Sequence, residues 1–224
     1  AVAEHMHSQG IRLILADKNE IDMKKFDSKN KNVISYQVDV SKGTEVKNLI
    51  TSAYNRFKQI DYLINFAGIN RDKPFLDMTE NDWDSVISVH LKGTFLCCQE
   101  FAKVKSTSVR QIINVSAACG IQGRRNGANF CSAKAGVLAL TKCLALELSP
   151  RIKVNCLIPS AVDTPEVRER YKLDTKEGFD SVVKGIPLGR LGKTGDVTHM
   201  VDFILSSEFT TGSTFYVNGG EYMN

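Results

Sequence analysis

Gln-Ile-Ile-Asn-Val-Ser-Ala-Ala-Cys-Gly at 111–120 and Asn-Phe-Cys-Ser-Ala-Lys-Ala-Gly at 129–136 form the stretch on which the fold is read. Gln111–Val115 is an apolar run of strand length that stops at a set of small residues. Cys131–Leu148 then reads as a long helix ended by Ser149-Pro150, since proline cannot continue the helical ladder. Ile152–Pro159 is a further apolar strand, which completes a β-α-β unit.

The same alternation extends in both directions. Ile11–Ala16 is a near-continuous apolar run ending at Asp17, and Val33–Val40 is a second strand with Asp39 near its end. Ser41–Phe57 reads as a helix, with Val46, Leu49, Ile50 and Ala53 on one face. Ile60–Asn65 is a third strand leading into Phe66-Ala67-Gly68. Thr79-Glu80-Asn81-Asp82 opens the next helix as an N-cap with an acidic third position, and its apolar residues continue to about Val104. Thr214–Asn218 is the last strand, closed by Gly219-Gly220. Strands apolar on both faces and separated by helices predict a parallel sheet covered on both sides. The expectation is one doubly wound α/β domain over residues 1–224, with no repeat and no linker.

Ala1–Ser8 reads as a helix already under way. A dinucleotide-binding domain puts a strand and a Gly-rich turn before such a helix. The expectation is therefore that this central strand and phosphate cradle precede Ala1 and lie outside the sequence.

The 224 residues are 42% hydrophobic and 24% charged, enough for one water-soluble domain with a real core. The net charge of +4 is scattered over Lys24-Lys25, Lys29, Lys31 and Arg124-Arg125, the pattern of a solvated surface rather than a nucleic-acid face. Cysteines 97, 98, 119, 131, 143 and 156 form no C-x-x-C pair and mostly sit in apolar runs, as buried free thiols of a reducing compartment do. No metal site is expected, because His5-x-His7 has no partner ligands following it. The 224 residues show no signal-peptide pattern and no apolar run of membrane-spanning length. The cytoplasm is the default compartment, and an organelle address would need a longer N-terminus.

The layout of 115–136 resembles the catalytic segment of the short-chain dehydrogenase/reductase family, and the resemblance runs from Ala1 to Asn218. That family carries Ser and then Tyr-x-x-x-Lys. Here the three positions are Ala117, Phe130 and Lys134, of which only Lys134 keeps the family residue. His90, in Val89-His90-Leu91-Lys92-Gly93, stands where the family's proton-relay Asn is expected. The resemblance implies that Tyr is the general acid/base, that Lys lowers its pKa and holds the ribose, and that Ser hydrogen-bonds the substrate carbonyl. Phe130 cannot give or take a proton, and Ala117 has no donor.

The resemblance also implies a nicotinamide cofactor. Asp17 would accept both ribose hydroxyls and repel a 2′-phosphate, so NAD(H) is expected over NADP(H). Asp39-Val40 resembles the pair beside the adenine. Asn65-Phe66-Ala67-Gly68 resembles Asn-Asn-Ala-Gly, so Asn65, Ala67 and Gly68 would line the cofactor. Pro159-Ser160-Ala161-Val162-Asp163-Thr164 resembles the nicotinamide-capping turn, with Pro159, Val162 and Thr164 in place and Ser160 where Gly is usual. Residues 165–190 would be the substrate lid, polar and carrying Arg168, Arg170, Lys172 and Lys176. Asn70-Arg71-Asp72 and Gly189–Gly192 resemble the ketoacyl-carrier-protein reductase branch, whereas Val162–Pro165 resembles the hydroxybutyrate dehydrogenase branch.

The implied partners are a small carbonyl or alcohol substrate and a second copy, as a dimer or tetramer through the helices starting near Thr79 and Phe130. No nucleic acid and no membrane are implied. The functional expectation is an oxidoreductase by descent with standard hydride transfer impaired or absent. The alternative is a non-catalytic subunit or dinucleotide-sensing scaffold that partners an active relative.

Overall fold

A computed structural model describes residues 1–26 and 32–223, so Lys29 and Lys31 lie outside the described residues. Isoleucine and valine at alternate and adjacent positions stiffen β4 (Arg110–Val115) and β5 (Ile152–Pro159) and bury both their faces. These two strands form the middle of a parallel sheet, β3-β4-β5-β6, flanked by β3 (Tyr62–Asn65) and β6 (Thr214–Val217). A second parallel pair joins β1 (Leu13–Asp17) to β2 (Val33–Gln37) in register from Leu13–Val33 to Asp17–Gln37.

Helices cover both faces. Phe101 from α4 (Gly93–Lys103) and Ala145 from α6 (Ala128–Leu148) pack with Ile112 and Val154. On the other face Val201 and Ile204 of α9 (Thr194–Ser206) pack with Ile113 and Leu157. Near α9 lies α1 (Val2–Ser8), whose Met6 closes a smaller cluster with Leu13, Phe26 and Val33. This is the doubly wound arrangement expected from the sequence.

Several boundaries differ. The helix expected from Thr79 to Val104 is three pieces: α3 (Glu80–Ile87), a π-helical turn over Ser88–Lys92, and α4. The capping box is as read, since Asp82 N donates to Thr79 Oγ1 at 3.2 Å and Thr79 N to Asp82 Oδ2 at 3.1 Å. The π turn inserts one residue per hydrogen-bonded ring and leaves His90 buried. β2 ends at Gln37, short of Val40, because Asp39 Oδ1 accepts from both the amide and the hydroxyl of Ser41 and turns the chain into α2 (Gly43–Phe57). β1 starts only at Leu13, after a turn in which Gly10 has φ +79°. The short α5 (Cys119–Gln122), α7 (Pro165–Tyr171) and α8 (Lys176–Val183) complete the chain. Cys97, Cys98 and Cys156 are buried as expected, but Cys119 and Cys131 are only partly covered and Cys143 is exposed. Among the described residues no helix is long and apolar enough to cross a membrane.

The two sheets do not join. Leu13–Asp17 of β1 and Tyr62–Asn65 of β3 line one cleft of about 820 Å³, with Met6, Ile50, Ala53 and Phe101 around it. No described strand lies between them, at the place where the sequence reading put a central strand. Backbone N–H and C=O groups along these two edges therefore have no ladder partner among the described residues.

Candidate functional site

The site grows from the junction of β4 with α6. Lys134 lies two turns into α6 with 7% of its surface exposed. Its Nζ donates to Val115 O at the end of β4, 2.7 Å away, and Ser116 Oγ donates to Lys134 O at 2.8 Å. Burial lowers the ammonium pKa to about 8, and no carboxylate among the described residues pairs with it. Ser116 and Ala117 lie just past the strand rather than on it, so strand alternation does not set their directions. Ser116 is 2% exposed with its hydroxyl committed to α6, so it offers nothing in place of the group Ala117 lacks.

Phe130 precedes Lys134 by one turn, on the same helix face. Its ring lies 5.5 Å from Lys134 Nζ and 5.5 Å from the Arg124 guanidinium carbon. The ring of His90 meets it edge-on, with centroids 5.0 Å apart. His90 is 4% exposed, and its Nε2 is 3.0 Å from Ile69 N and 2.8 Å from Ile69 O. Its Nδ1 is buried and has no partner among the described residues. Burial, and then the Lys134 cation, push the imidazole pKa down to about 4, so His90 is neutral near pH 7. Gly68 is what lets the ring sit there, because a Cβ at that position would overlap His90 Cε1. His90, Phe130 and Lys134 thus form one packed group.

The expected cofactor residues divide into two sets. Asp17, Val40, Asn65, Ala67 and Gly68 line the cleft between the sheets, together with exposed Phe66. Asp17 stands at the end of β1 and one carboxylate oxygen accepts from Asn19 N at 2.8 Å. Asp39 does not line that cleft. Ser41, and then Lys18 at 3.1 Å, hold its carboxyl down to about 2. Pro159, Val162, Thr164 and Lys134 lie elsewhere. Pro159 ends β5, Val162 bridges to Gly192, and Thr164 Oγ1 caps α7 by accepting from Val167 N at 3.3 Å. Ser160 Oγ is buried without a partner among the described residues and lies by a second cleft of about 540 Å³ between β6 and α9.

Some contributors have no sequence signal. Asn129 is fully buried and donates to Arg71 O and Asp82 O, each at 3.0 Å, which ties the loop after β3 and helix α3 to the start of α6. Asn65 Nδ2 donates to Asn114 Oδ1 at 2.9 Å and Asn114 Nδ2 to Thr141 Oγ1 at 3.0 Å, a buried polar chain through β3, β4 and α6. Tyr54 and Lys58 also carry the spacing Tyr-x-x-x-Lys. They sit at the far end of α2, where Lys58 is a left-handed cap. A crossover helix runs opposite to its strands, so this end lies by the starts of the strands, away from Phe130.

The family described as enoyl-(acyl carrier protein) reductase matches residues 1–221. The chain is 37% identical over 214 residues to the 3-oxoacyl-[acyl-carrier-protein] reductase FabG of Staphylococcus epidermidis, covering 92% of this chain and 85% of that one. It is 36% identical over 192 residues to the FabG of Thermotoga maritima, covering 83% and 75%. A solved glucose/ribitol dehydrogenase of the short-chain type from Brucella melitensis superposes with a TM-score of 0.89 at 29% identity, covering 100% of this chain and 91% of that one. ElxO, solved with NADP bound, gives 0.88 at 25% identity, covering 98% and 92%. The chain belongs to the short-chain dehydrogenase/reductase family and is an oxidoreductase by descent.

The neutral His90 has a pH signature. The unfolded chain takes a proton near pH 6.5, whereas the folded protein refuses it until about 4. The His90 contribution is therefore complete above pH 6.5 and falls between 6.5 and 4, by about 3 kcal/mol. The carboxylates Asp39 and Asp82, held to about 2, lose their share only below 3.8. Urea melts at pH 7, 5.5 and 4 should show this slope in the wild type and its loss in His90→Asn. An unchanged slope in the variant would contradict the assignment.

Proposed function

We propose that this member of the short-chain dehydrogenase/reductase family keeps a dinucleotide-binding framework and lacks the proton transfer that completes carbonyl reduction. The observation that carries the reading is Phe130, seated against Lys134 Nζ with no ionisable atom on its ring. Reduction of a carbonyl leaves an alkoxide that must take a proton. Lys134 is held on Val115 O, Ser116 on Lys134 O, and His90 is neutral and buried behind Phe130. A missing general acid typically costs about 10²–10⁴-fold in rate and a missing oxyanion donor about 10²–10³, and the two need not multiply.

A nicotinamide dinucleotide, when bound, supplies the hydride. The residues present fit its adenosine half. Asp17 offers its second carboxylate oxygen at the end of β1, and Val40, Asn65, Ala67 and Gly68 line the cleft beside it. In this reading Lys134 holds the nicotinamide ribose, and Pro159, Val162 and Thr164 cap the ring. The carboxylate of Asp17 favours NAD(H), since a 2′-phosphate would meet its charge. A small carbonyl or alcohol compound is the substrate class, and the six unpaired thiols suit a reducing cytoplasm.

One observation favours the non-catalytic alternative. His90 and Phe130 fit each other edge-on, so the reactive position is packed rather than vacant. Phe95 on α4 and Leu146 on α6 are 41% and 85% exposed, which supports association of those helices with a second copy or with an active relative.

Calorimetric titration of the protein with NADH and with NADPH tests the cofactor reading. The expected result is saturable binding, about tenfold tighter for NADH, with the preference lost in Asp17→Asn. Tighter binding of NADPH would contradict the role of Asp17. Turnover of a ketone by the unmodified protein near the common enzyme rate of about 10 s⁻¹ would contradict the impaired chemistry.

A further inference from the structure

Two arginines from distant segments meet on one carboxylate beside Phe130. Asp72, in the loop after β3, accepts at Oδ1 from Arg124 Nη2 at 2.9 Å and at Oδ2 from Arg170 Nη2 of α7. Arg124 comes from the turn between α5 and α6, and its guanidinium also lies 5.5 Å from the centre of the Phe130 ring. The three side chains are only 23–32% exposed, so their charges are partly shielded from water.

The charges do not balance. Within the clasp itself two cations share one anion. Each guanidinium has five N–H donors and uses one on Asp72, with no other hydrogen bond among the described residues. Three acids of the surrounding segments are already paired. Asp82 pairs with Lys73 at 2.8 Å, and Asp163 and Asp174 both pair with Arg168. Arg71 and Arg125, adjacent in sequence to the clasp, have no ion pair among the described residues and add to the positive field. Planar guanidinium forks with spare donors match a carboxylate better than a neutral group.

We infer that Arg124 and Arg170 recognise a carboxylate on the substrate, which makes the ligand of this site a short oxo acid or hydroxy acid. The inference rests on the reading above that Phe130 stands at the family's acid/base position. Asp72 holds the two forks in place when the site is empty and competes with the incoming acid. A purely structural clasp would be broken equally by loss of any of its three members. A recognition site instead responds with opposite signs, because removing an arginine removes an attraction and removing Asp72 removes a competitor.

The test is a titration by ligand-observed NMR, with and without NADH, using acetoacetate, acetone and inorganic phosphate as probes. Acetoacetate should bind saturably and acetone should not. Arg124→Gln and Arg170→Gln should each weaken acetoacetate about tenfold, Arg170→Lys less, and Asp72→Asn should tighten it several-fold. Cooperative thermal melts establish that each variant is folded. Equal binding of acetone, unchanged binding in both glutamine variants, weakening in Asp72→Asn, or tighter binding of phosphate than of acetoacetate would overturn the inference. Failure of NADH to bind in the same samples would count against the cofactor reading alone, since the arginine clasp is built without the nucleotide.

Discussion

A buried ammonium held by a single backbone carbonyl is the contact on which the rest of the site depends. Lys134 reaches from α6 to Val115 O, and Ser116 returns the link to Lys134 O, so the helix is fastened to the strand end at two points. Removing a cation from water is costly, and the fall of its pKa to about 8 reflects that cost. The negative face of the Phe130 ring offsets part of it. The cation in turn helps to keep His90 neutral, and the neutral imidazole is the form that burial against that ring penalises least. Cation, ring and imidazole support one another, and Gly68 has no side chain so that the imidazole fits. Position 130 is therefore satisfied by packing, where the family chemistry needs a hydroxyl.

Polar links then carry this arrangement outward. Asn129 fastens α3 and the loop after β3 to α6, and Asn114 fastens β3 and α6 to β4. Each is fully buried, where an unpaired amide would be destabilising by about 1–3 kcal/mol, so each link is made in full. Through them the loop carrying Asp72 is brought to Arg124 and Arg170. The cleft between β1 and β3 is unlike this region. Its lining mixes apolar and charged side chains, and of the residues read as cofactor ligands it holds Asp17, Val40, Asn65, Ala67 and Gly68.

What the sequence revealed was local. The β4–α6 pair, the parallel alternation and the Thr79–Asp82 capping box all rest on residues within a few positions of each other, where periodicity and capping act. Lys134 was legible for the same reason, as one member of a short spaced motif. The π turn at Ser88–Lys92 was not, because one extra residue in a helix leaves the local pattern of apolar residues almost unchanged. The Asp72 clasp spans 52 and 98 residues and the Asn129 link up to 58, separations at which no local pattern exists. Tyr54 and Lys58 show the converse, a motif spacing that the topology carries to the wrong end of the sheet.

The central claim is that the framework persists and that the hydroxyls at 117 and 130 are what is missing. The most direct measurement is steady-state ketone reduction with NADH by the wild-type protein and by the double variant Ala117→Ser/Phe130→Tyr. The account predicts at least about a 10²-fold gain in kcat/KM for the variant. Equal rates in the two proteins, with nucleotide bound to both, would contradict it.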